Sequence, residues 1–216
     1  MAVVMQFGLL FVYSPAMEIY LIRHTTPLIE KGTCYGQADL EVTESFEEEA
    51  ACIQSHLPSR IETVISSPLK RCRQLAQYLF PHHTIYYDDR LKEIHCGEWE
   101  MQPWDRIDRR HLDRWMADLV NVPIPGGESY QQLYERAVAF FKDAVKRYRS
   151  LAIVAHGGVL RSLLAYINGV QLQESFDQFS LRYGCVVKVH FSENQLRHAI
   201  LHNPETAEEQ HRPAYQ

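Results

Sequence analysis

The sequence has no C-x-x-C pair, no excess of basic residues and no apolar run long enough to cross a bilayer. Its five cysteines are odd in number, which argues against a disulfide framework or a zinc site and favours reduced thiols in the cytoplasm. The formal net charge of −5 argues against nucleic acid and anionic membranes as partners, because such binders carry a basic face. We therefore expect a cytoplasmic protein that binds neither, and the sequence leaves a homodimer open.

The length of 216 residues, with 46% hydrophobic and 23% charged residues, suits one α/β domain with a real core. No repeat or change of composition marks a boundary, so we expect a single domain over residues 17–203. The apolar stretch 1–16 is predicted to be an N-terminal extension ahead of an original start at Met17. A weak signal peptide and an additional strand are the alternatives for this stretch. The polar stretch 204–216 is predicted to be a loose tail.

Apolar runs rich in β-forming residues alternate with stretches of helical periodicity. Strands are predicted at 18–23, 62–67, 84–89 and 151–156, and a hairpin surrounds the turn at 192–194. Helices are predicted from Phe46 to Leu57, from Pro68 with Ser67 as N-cap, from Ser129 to Tyr148 with a capping box at Gln132, and from Gly157 to Asn168. This order predicts an α/β fold: a three-layer αβα sandwich with a mostly parallel sheet and a C-terminal antiparallel hairpin.

Arg23 and His24 directly follow the first predicted strand, "EIYLIR". Ligands of such sheets bind beyond the carboxyl ends of the strands. An unprotonated imidazole can attack phosphorus, and a neighbouring guanidinium would hold phosphoryl oxygens and lower the pKa of the imidazole. The alternative is a histidine that is hydrogen-bonded at the rim of the core, and for this pair alone that alternative is the more common case.

Three further segments carry candidate residues. The segment "SSPLKRCRQLA" (66–76) predicts an anion-binding helix N-terminus with Arg71 in its first turn, or else a solvated basic face. The segment "IVAHGGVLRSLL" (153–164) places His156 at a strand end, followed by glycines that allow close approach of a ligand or merely a tight turn. In "LKEIHCGEWE" (91–100), Glu93 is a candidate proton donor, with Glu98 and Glu100 as competitors. Each of these carboxylates could equally be an ordinary surface group.

The order R-H, S-P-L-K-R, L-x-E-x-x-x-G-x-W-E, G-G-E-S and A-H-G-G resembles the histidine phosphatase superfamily over residues 17–191. This resemblance implies a phosphoglycerate mutase-like fold and a small phosphorylated metabolite as substrate. It implies that His24 is phosphorylated during turnover, that Glu93 is proton donor and then general base, and that no metal or other cofactor is required. It also implies a phosphate pocket formed by Arg23, Arg71 and His156.

Thr25 departs from that family pattern, in which glycine usually follows the histidine. Its hydroxyl is expected either to bind the phosphate or to crowd the loop. The family's frequent asparagine ligand, six residues after the histidine, is replaced by Glu30 next to Lys31, and we assign Glu30 no phosphate role.

The stretches "RHTTPLIEKGTCYGQADLEV" and "EIHCGEWE" resemble the α-ribazole phosphatase branch of the superfamily. This resemblance implies removal of the 5′-phosphate of α-ribazole phosphate in cobalamin biosynthesis. An aromatic wall of Tyr35, Trp99 and Trp104 would suit the benzimidazole base, although Trp99 could instead pack in the core. The alternatives are a broad-specificity phosphatase, a phosphoglycerate mutase, and a binding module that has lost turnover.

Overall fold

The described part of the chain, residues 17–192 and 195–205 of a computed structural model, contains six strands and six α-helices. The strands are β1 (Glu18–Arg23), β2 (Thr63–Ser66), β3 (Ile85–Tyr87), β4 (Ser150–Ala155), β5 (Val186–Ser192) and β6 (Gln195–His202). The helices are α1 (Phe46–Ser55), α2 (Lys70–Leu79), α3 (Arg109–Ala117), α4 (Tyr130–Arg147), α5 (Gly157–Asn168) and α6 (Leu172–Gln178). Within these residues, none of the helices has the length and apolar character that a membrane span requires.

The strands form one sheet in the order β3-β2-β4-β1-β5-β6. The first four neighbours in this order run parallel, β5 is antiparallel to β1, and β6 is antiparallel to β5. The predicted mostly parallel sheet with a C-terminal antiparallel hairpin is therefore confirmed. The predictions for residues 1–16, for the turn residues 193–194 and for the tail beyond 205 lie outside the described residues.

Both faces of the sheet are buried, because successive residues of β1 enter opposite cores. Leu21 packs with the apolar faces of α4 and α5, whereas Ile22 packs with those of α1 and α2. Neighbouring β4 repeats the alternation with Ile153 and Val154, and all four side chains are fully buried. A central parallel strand covered on both faces needs such a continuous apolar run, so the three-layer sandwich follows directly from it.

Helix boundaries confirm some local predictions and correct others. The capping box of α4 is present, with Ser129 and Gln132 bonded reciprocally, and Gly169 ends α5 in the left-handed conformation. However, α2 begins at Lys70 rather than Pro68, and its N-cap is Leu69. The sequence did not predict α3, because its nine residues are highly charged and bury only Leu112. The short helix α6 was also missed.

The carboxyl end of β1 is held from both sides. The backbone N–H of His24 donates to the carbonyl of Ala155 at 3.0 Å, and the N–H of Gly184 donates to the carbonyl of His24 at 3.0 Å. The backbone of the candidate nucleophile is thus fixed by β4 on one side and by the loop before β5 on the other.

Candidate active site

Four side chains meet where the sequence analysis expects them, at the carboxyl ends of the parallel strands. The rings of His24 and His156 lie 5.0 Å apart between centroids, and Nε of Arg71 lies 3.3 Å from Nε2 of His24. Arg23 completes the group, which we call the strand-end cluster. All four residues are at most 8% exposed. Segments far apart in sequence therefore converge on one site, as the sequence predicts.

The hydrogen bonds of His24 define which ring nitrogen carries the proton. Nδ1 lies 2.7 Å from the carbonyl oxygen of Thr25, which can only accept, so Nδ1 bears the hydrogen. Nε2 in turn accepts from Nε of Arg71, so its lone pair points into the strand-end cluster. Burial, together with the positive charges of Arg71 and Arg23, holds the pKa of His24 well below its usual value. The ring of His24 is thus neutral and held in one orientation.

Arg71 is fully buried and its guanidinium is held in a fixed orientation. Its Nη1 donates to the carbonyl of Ala38 at 2.8 Å, and its Nη2 donates to the carbonyl of Gly36 at 2.7 Å. The third donor, Nε, faces His24. Because both Nη groups of the planar guanidinium bond the backbone of residues 36–38, the Nε edge of Arg71 carries its positive charge toward His24.

Arg23 lies against a pair of tyrosines, of which sequence reasoning identified only Tyr35. Its Nη1 donates to the carbonyl of Leu181, and the guanidinium carbon lies 4.1 Å from the ring centroid of Tyr183. The Tyr183 hydroxyl is 2.6 Å from the hydroxyl of Tyr35. Tyr35 thus reaches the site as predicted, and Tyr183 supplies a cation–π contact that orients Arg23.

His156 is fully buried and contacts two residues from the α2 region. Its Nε2 lies 2.8 Å from Oγ of Ser67 and 3.4 Å from Sγ of Cys72. Burial and the neighbouring charge of Arg71 hold the pKa of His156 well below its usual value. Burial raises the pKa of Cys72 to about 12, so its thiol stays protonated beside the ring. Ser67, predicted as a helix N-cap, instead orients this histidine.

Glu93 enters the site over the first turn of α5. Its Oε2 accepts from the backbone N–H of Gly158 at 3.0 Å, and its Oε1 accepts from its neighbour Ile94 at 2.9 Å. A Cβ added at Gly158 would lie 2.3 Å from Oε1 of Glu93, and one at Gly157 would lie 3.1 Å from the Arg23 guanidinium. The two glycines therefore admit the side chains of Arg23 and Glu93 rather than merely forming a turn.

The backbone around Glu93 is fixed by Arg136 of α4. Its Nη1 donates to the carbonyls of Arg90 and Lys92 at 2.8 and 2.6 Å, and its Nη2 donates to the carbonyl of Glu93 at 2.9 Å. An ion pair with the half-buried carboxylate of Glu128 at 2.5 Å balances this guanidinium. Arg136 thus fixes the backbone of residues 90–93, which belong neither to the sheet nor to an α-helix.

Thr25, the departure from the family pattern, is completely buried. Its Oγ1 has no hydrogen-bond partner among the described residues. A buried hydroxyl without a partner costs free energy on the order of 1–3 kcal/mol, which a ligand oxygen would recover. Of the two alternatives for Thr25, a hydroxyl that binds a ligand oxygen explains this missing partner better than a hydroxyl that only crowds the loop.

A cavity of about 450 Å³ lies beside the strand-end cluster, which contributes Arg23 to its lining. Tyr35 and Trp104 line it as predicted, but Trp99 is not among the lining residues. Trp99 is 4% exposed and packs edge-on against the rings of Trp104 and Trp115, so the core interpretation of Trp99 replaces the substrate-wall interpretation. The remaining apolar wall is formed by Ile94, Trp115, Met116, Leu119, Ile124 and Phe176.

Sequence reasoning missed two polar residues of this cavity, Arg161 and Asp177. Arg161 is 8% exposed, and its guanidinium carbon lies 5.1 Å from the ring centroid of Phe176. A signal for Arg161 was available, because it interrupts the apolar stretch of α5 with a charge where a core residue is expected. No comparable signal marked Asp177, which lies on the unpredicted helix α6.

The chain is similar in sequence and in fold to several known proteins. At the sequence level it is 29% identical over 190 residues to a protein of Salmonella choleraesuis named as a probable phosphoglycerate mutase, covering 83% of this chain and 87% of that protein. It is 24% identical over 178 residues to phosphoserine phosphatase 1 of Hydrogenobacter thermophilus, covering 78% and 82%. The α-ribazole phosphatase of Shigella flexneri has a similar fold, with a TM-score of 0.75 over 85% of this chain and 95% of that structure, at 24% identity.

A family model matches most of the described chain. The model of the histidine phosphatase superfamily, branch 1, covers residues 19–203. This range contains all four residues of the strand-end cluster together with Glu93. The chain belongs to the histidine phosphatase superfamily.

Proposed function

We propose that the protein is a phosphomonoesterase that works through a phosphohistidine intermediate on His24. The observation that carries the proposal is the orientation of this imidazole: Nδ1 is committed to the Thr25 carbonyl, and the Nε2 lone pair faces the guanidinium of Arg71. Phosphoryl transfer places negative charge on the transferred oxygens. The nucleophilic atom and the cation that would stabilise this charge therefore face the same point.

The reaction follows as two displacements. Nε2 of His24 attacks phosphorus, the bond from phosphorus to the ester oxygen breaks, and Glu93 gives its proton to the departing oxygen. Glu93 then accepts a proton from water, the resulting hydroxide attacks phosphorus, and the bond to Nε2 breaks to release inorganic phosphate. Arg23 and Arg71 hold the phosphoryl oxygens through both steps, with hydrogen bonds from His156 and Thr25.

We propose that no metal ion takes part in this reaction, because two guanidiniums provide the positive charge that a phosphoryl group in transfer requires. A cytoplasmic location is proposed as well. Its support is that all five cysteines are free thiols, as expected in a reducing compartment. Fractionation of cells that express the untagged chain would test the location, and recovery outside the cytoplasm would contradict it.

The most suitable substrate is α-ribazole 5′-phosphate, which would place the protein in cobalamin biosynthesis. The cavity volume of about 450 Å³ falls in the range of sites that enclose a nucleoside-sized ligand. Trp104 and Trp115 present aromatic surface for a flat base. The Nε1–H of Trp115 is buried with no acceptor among the described residues, and Asp177 offers acceptor oxygens to ribose hydroxyls.

A second candidate is a phosphatase for small phosphorylated acids such as phosphoserine. Arg161 supports this alternative, because its buried guanidinium lines the cavity and would pair with a substrate carboxylate. The name of the Hydrogenobacter relative is in line with it. A mutase is less well supported, since residues 97–127 form only two 3-10 turns and one short helix, little to retain a bisphosphate intermediate. A binding module would not need Glu93 beside the nucleophile.

Replacing the nucleophile tests the enzyme against the binding module. We expect His24→Ala to lower kcat/KM for p-nitrophenyl phosphate by at least about a thousandfold, because no other group can accept the phosphoryl. His111→Ala, a change of an exposed histidine on α3, is the matched control. The native protein should also trap an acid-labile phosphoryl group that is absent in the variant. Equal turnover by both proteins would remove His24 from the mechanism.

The protonation state of the two buried imidazoles can be measured directly. Because burial and the arginines lower the pKa of His24 and His156, both rings should stay neutral in the folded protein as the pH falls from 8 to about 6. The unfolded chain takes up these protons near pH 6.5, so the free energy of unfolding should decrease as the pH drops below that value. NMR titration of the ring carbons checks this, with the urea-unfolded protein as control. Midpoints near 6.5 in the folded protein would contradict it.

Gly158→Ala tests the role of Glu93 without removing the carboxylate. The new Cβ would displace Oε1 of Glu93, and the fold should survive because the nearest atom ends a flexible side chain. We expect kcat for an alkyl phosphate to fall about a hundredfold, and the loss to be smaller for p-nitrophenyl phosphate, whose leaving group needs no proton. When Glu93 is already replaced by glutamine, Gly158→Ala should lower kcat for the alkyl phosphate only slightly further. Additive losses would show that Glu93 is not the group disturbed.

A substrate panel decides between the two candidate functions. We expect kcat/KM for α-ribazole 5′-phosphate to exceed that for phosphoserine and 3-phosphoglycerate by at least about tenfold. Arg161→Gln should leave this substrate nearly unaffected. Preference for phosphoserine, lost in Arg161→Gln, would establish the second candidate instead. The panel is run with EDTA present, and activity that returned only with added metal would contradict the metal-free reaction.

A further inference from the structure

A second group of chemically reactive side chains lies outside the active-site cavity. Cys52 and His56 stand at the C-terminal end of α1, and His202 is the last residue of β6. One ligand atom from each lies within 4.8 Å of the other two. None of the three lines the cavity at the strand-end cluster. The reaction proposed above uses none of them.

The fold brings the three residues together from distant parts of the chain. Cys52 and His56 are four residues apart, so they project from the same face of the end of α1. Strand β6 pairs only with β5 in the described sheet, which leaves its last residue at the sheet edge beside α1. The ring of His202 stacks on that of His56, with centroids 4.4 Å apart and planes inclined by 20°.

The spacing of these side chains matches the needs of a tetrahedral ion. Sγ of Cys52 lies 3.6 Å from Nε2 of His202. Bond lengths of about 2.3 Å from zinc to sulfur and about 2.0 Å to nitrogen, at a tetrahedral angle, separate two such ligands by roughly 3.5 Å. Cys52 and His202 therefore already have the separation expected of two zinc ligands. Rotation of the His56 side chain would bring its ring nitrogen, which lies within 4.8 Å of the other two ligand atoms, to the same separation.

The hydrogen bonds of His56 leave one of its nitrogens suited to a metal. Nδ1 lies 2.9 Å from the carbonyl oxygen of Cys52, so Nδ1 carries the hydrogen and Nε2 keeps the lone pair. Metal-binding histidines are commonly oriented in this way by a backbone carbonyl.

We propose that Cys52, His56 and His202 bind one zinc ion, with water as a fourth ligand. One thiolate and two imidazoles form a soft sulfur and nitrogen set that favours Zn²⁺ over Mg²⁺ or Ca²⁺. Cys52 is the one exposed cysteine, whereas the other four are buried, so its thiol is accessible to an ion. The ion ties the end of α1 to the end of β6. Its role is structural, and turnover at the strand-end cluster does not depend on it.

Metal titration of the untagged, metal-free full chain tests this proposal. We expect one equivalent of Zn²⁺ to bind with micromolar or tighter affinity and to raise the melting temperature by several degrees, because the ion binds the folded state only. Co²⁺ should give the intense visible bands of a tetrahedral site and a thiolate charge-transfer band in the near ultraviolet. Mg²⁺ should do neither.

Variants then assign the ligands. Cys52→Ser should abolish the charge-transfer band and the thermal shift, and His56→Gln and His202→Gln should each weaken zinc binding at least about tenfold. His198→Gln, on the same strand, is the matched control and should bind as the native chain does. The kcat/KM of Cys52→Ser for p-nitrophenyl phosphate should equal that of the native protein. Zinc binding that is equally tight in Cys52→Ser and in the native chain, or absent from both, would overturn the proposal.

Discussion

The active site depends on the burial of one positive charge, the guanidinium of Arg71. Moving a charge out of water costs several kcal/mol unless hydrogen bonds replace the lost hydration. Arg71 obtains these bonds from the carbonyls of Gly36 and Ala38 and from His24, and no ion pair of the described residues includes it. Its charge is therefore offset by dipoles rather than by a carboxylate. A phosphate dianion that entered this low-dielectric space would meet an uncancelled cation. Burial and this same charge hold the pKa of His24 well below its usual value, so that its ring is neutral.

The glycine pair at the start of α5 leaves room for the side chains of Arg23 and Glu93. Gly157 gives room to Arg23, while Gly158 offers its N–H to Glu93 and has no side chain that would push the carboxylate away. Glu93 thereby accepts hydrogen bonds from the backbone N–H groups of Gly158 and Ile94. A carboxylate paired directly with Arg71 would compete with the phosphate. The positions of Arg23 and of the Glu93 carboxylate thus depend on the backbone geometry of these two glycines.

The sequence predicted the features that arise from local periodicity and from strand ends. Apolar runs gave the sheet, and the polar residues after them, His24 and His156, gave the site, because parallel strands end at one edge. It could not place residues whose role depends on irregular segments. Trp99 and Trp115 are indistinguishable by type, yet one packs in the core and the other lines the cavity. The cluster of Cys52, His56 and His202 was missed because its third member comes 146 positions after the second.

Catalysis and specificity therefore reside in different kinds of structure. The strand-end cluster is built on β1, β4 and the start of α2, where a shift of any residue would disturb two buried cores. The cavity wall instead comes largely from residues 94–124, a stretch of turns that includes α3, and from α6, with Arg161 and Asp177 as charged groups. Changes there would alter which leaving group fits without moving the residues of the strand-end cluster. Proteins similar to this chain accordingly carry the names of a mutase and of two different phosphatases. The substrate therefore has to be inferred from the residues that line the cavity, not from the shared fold.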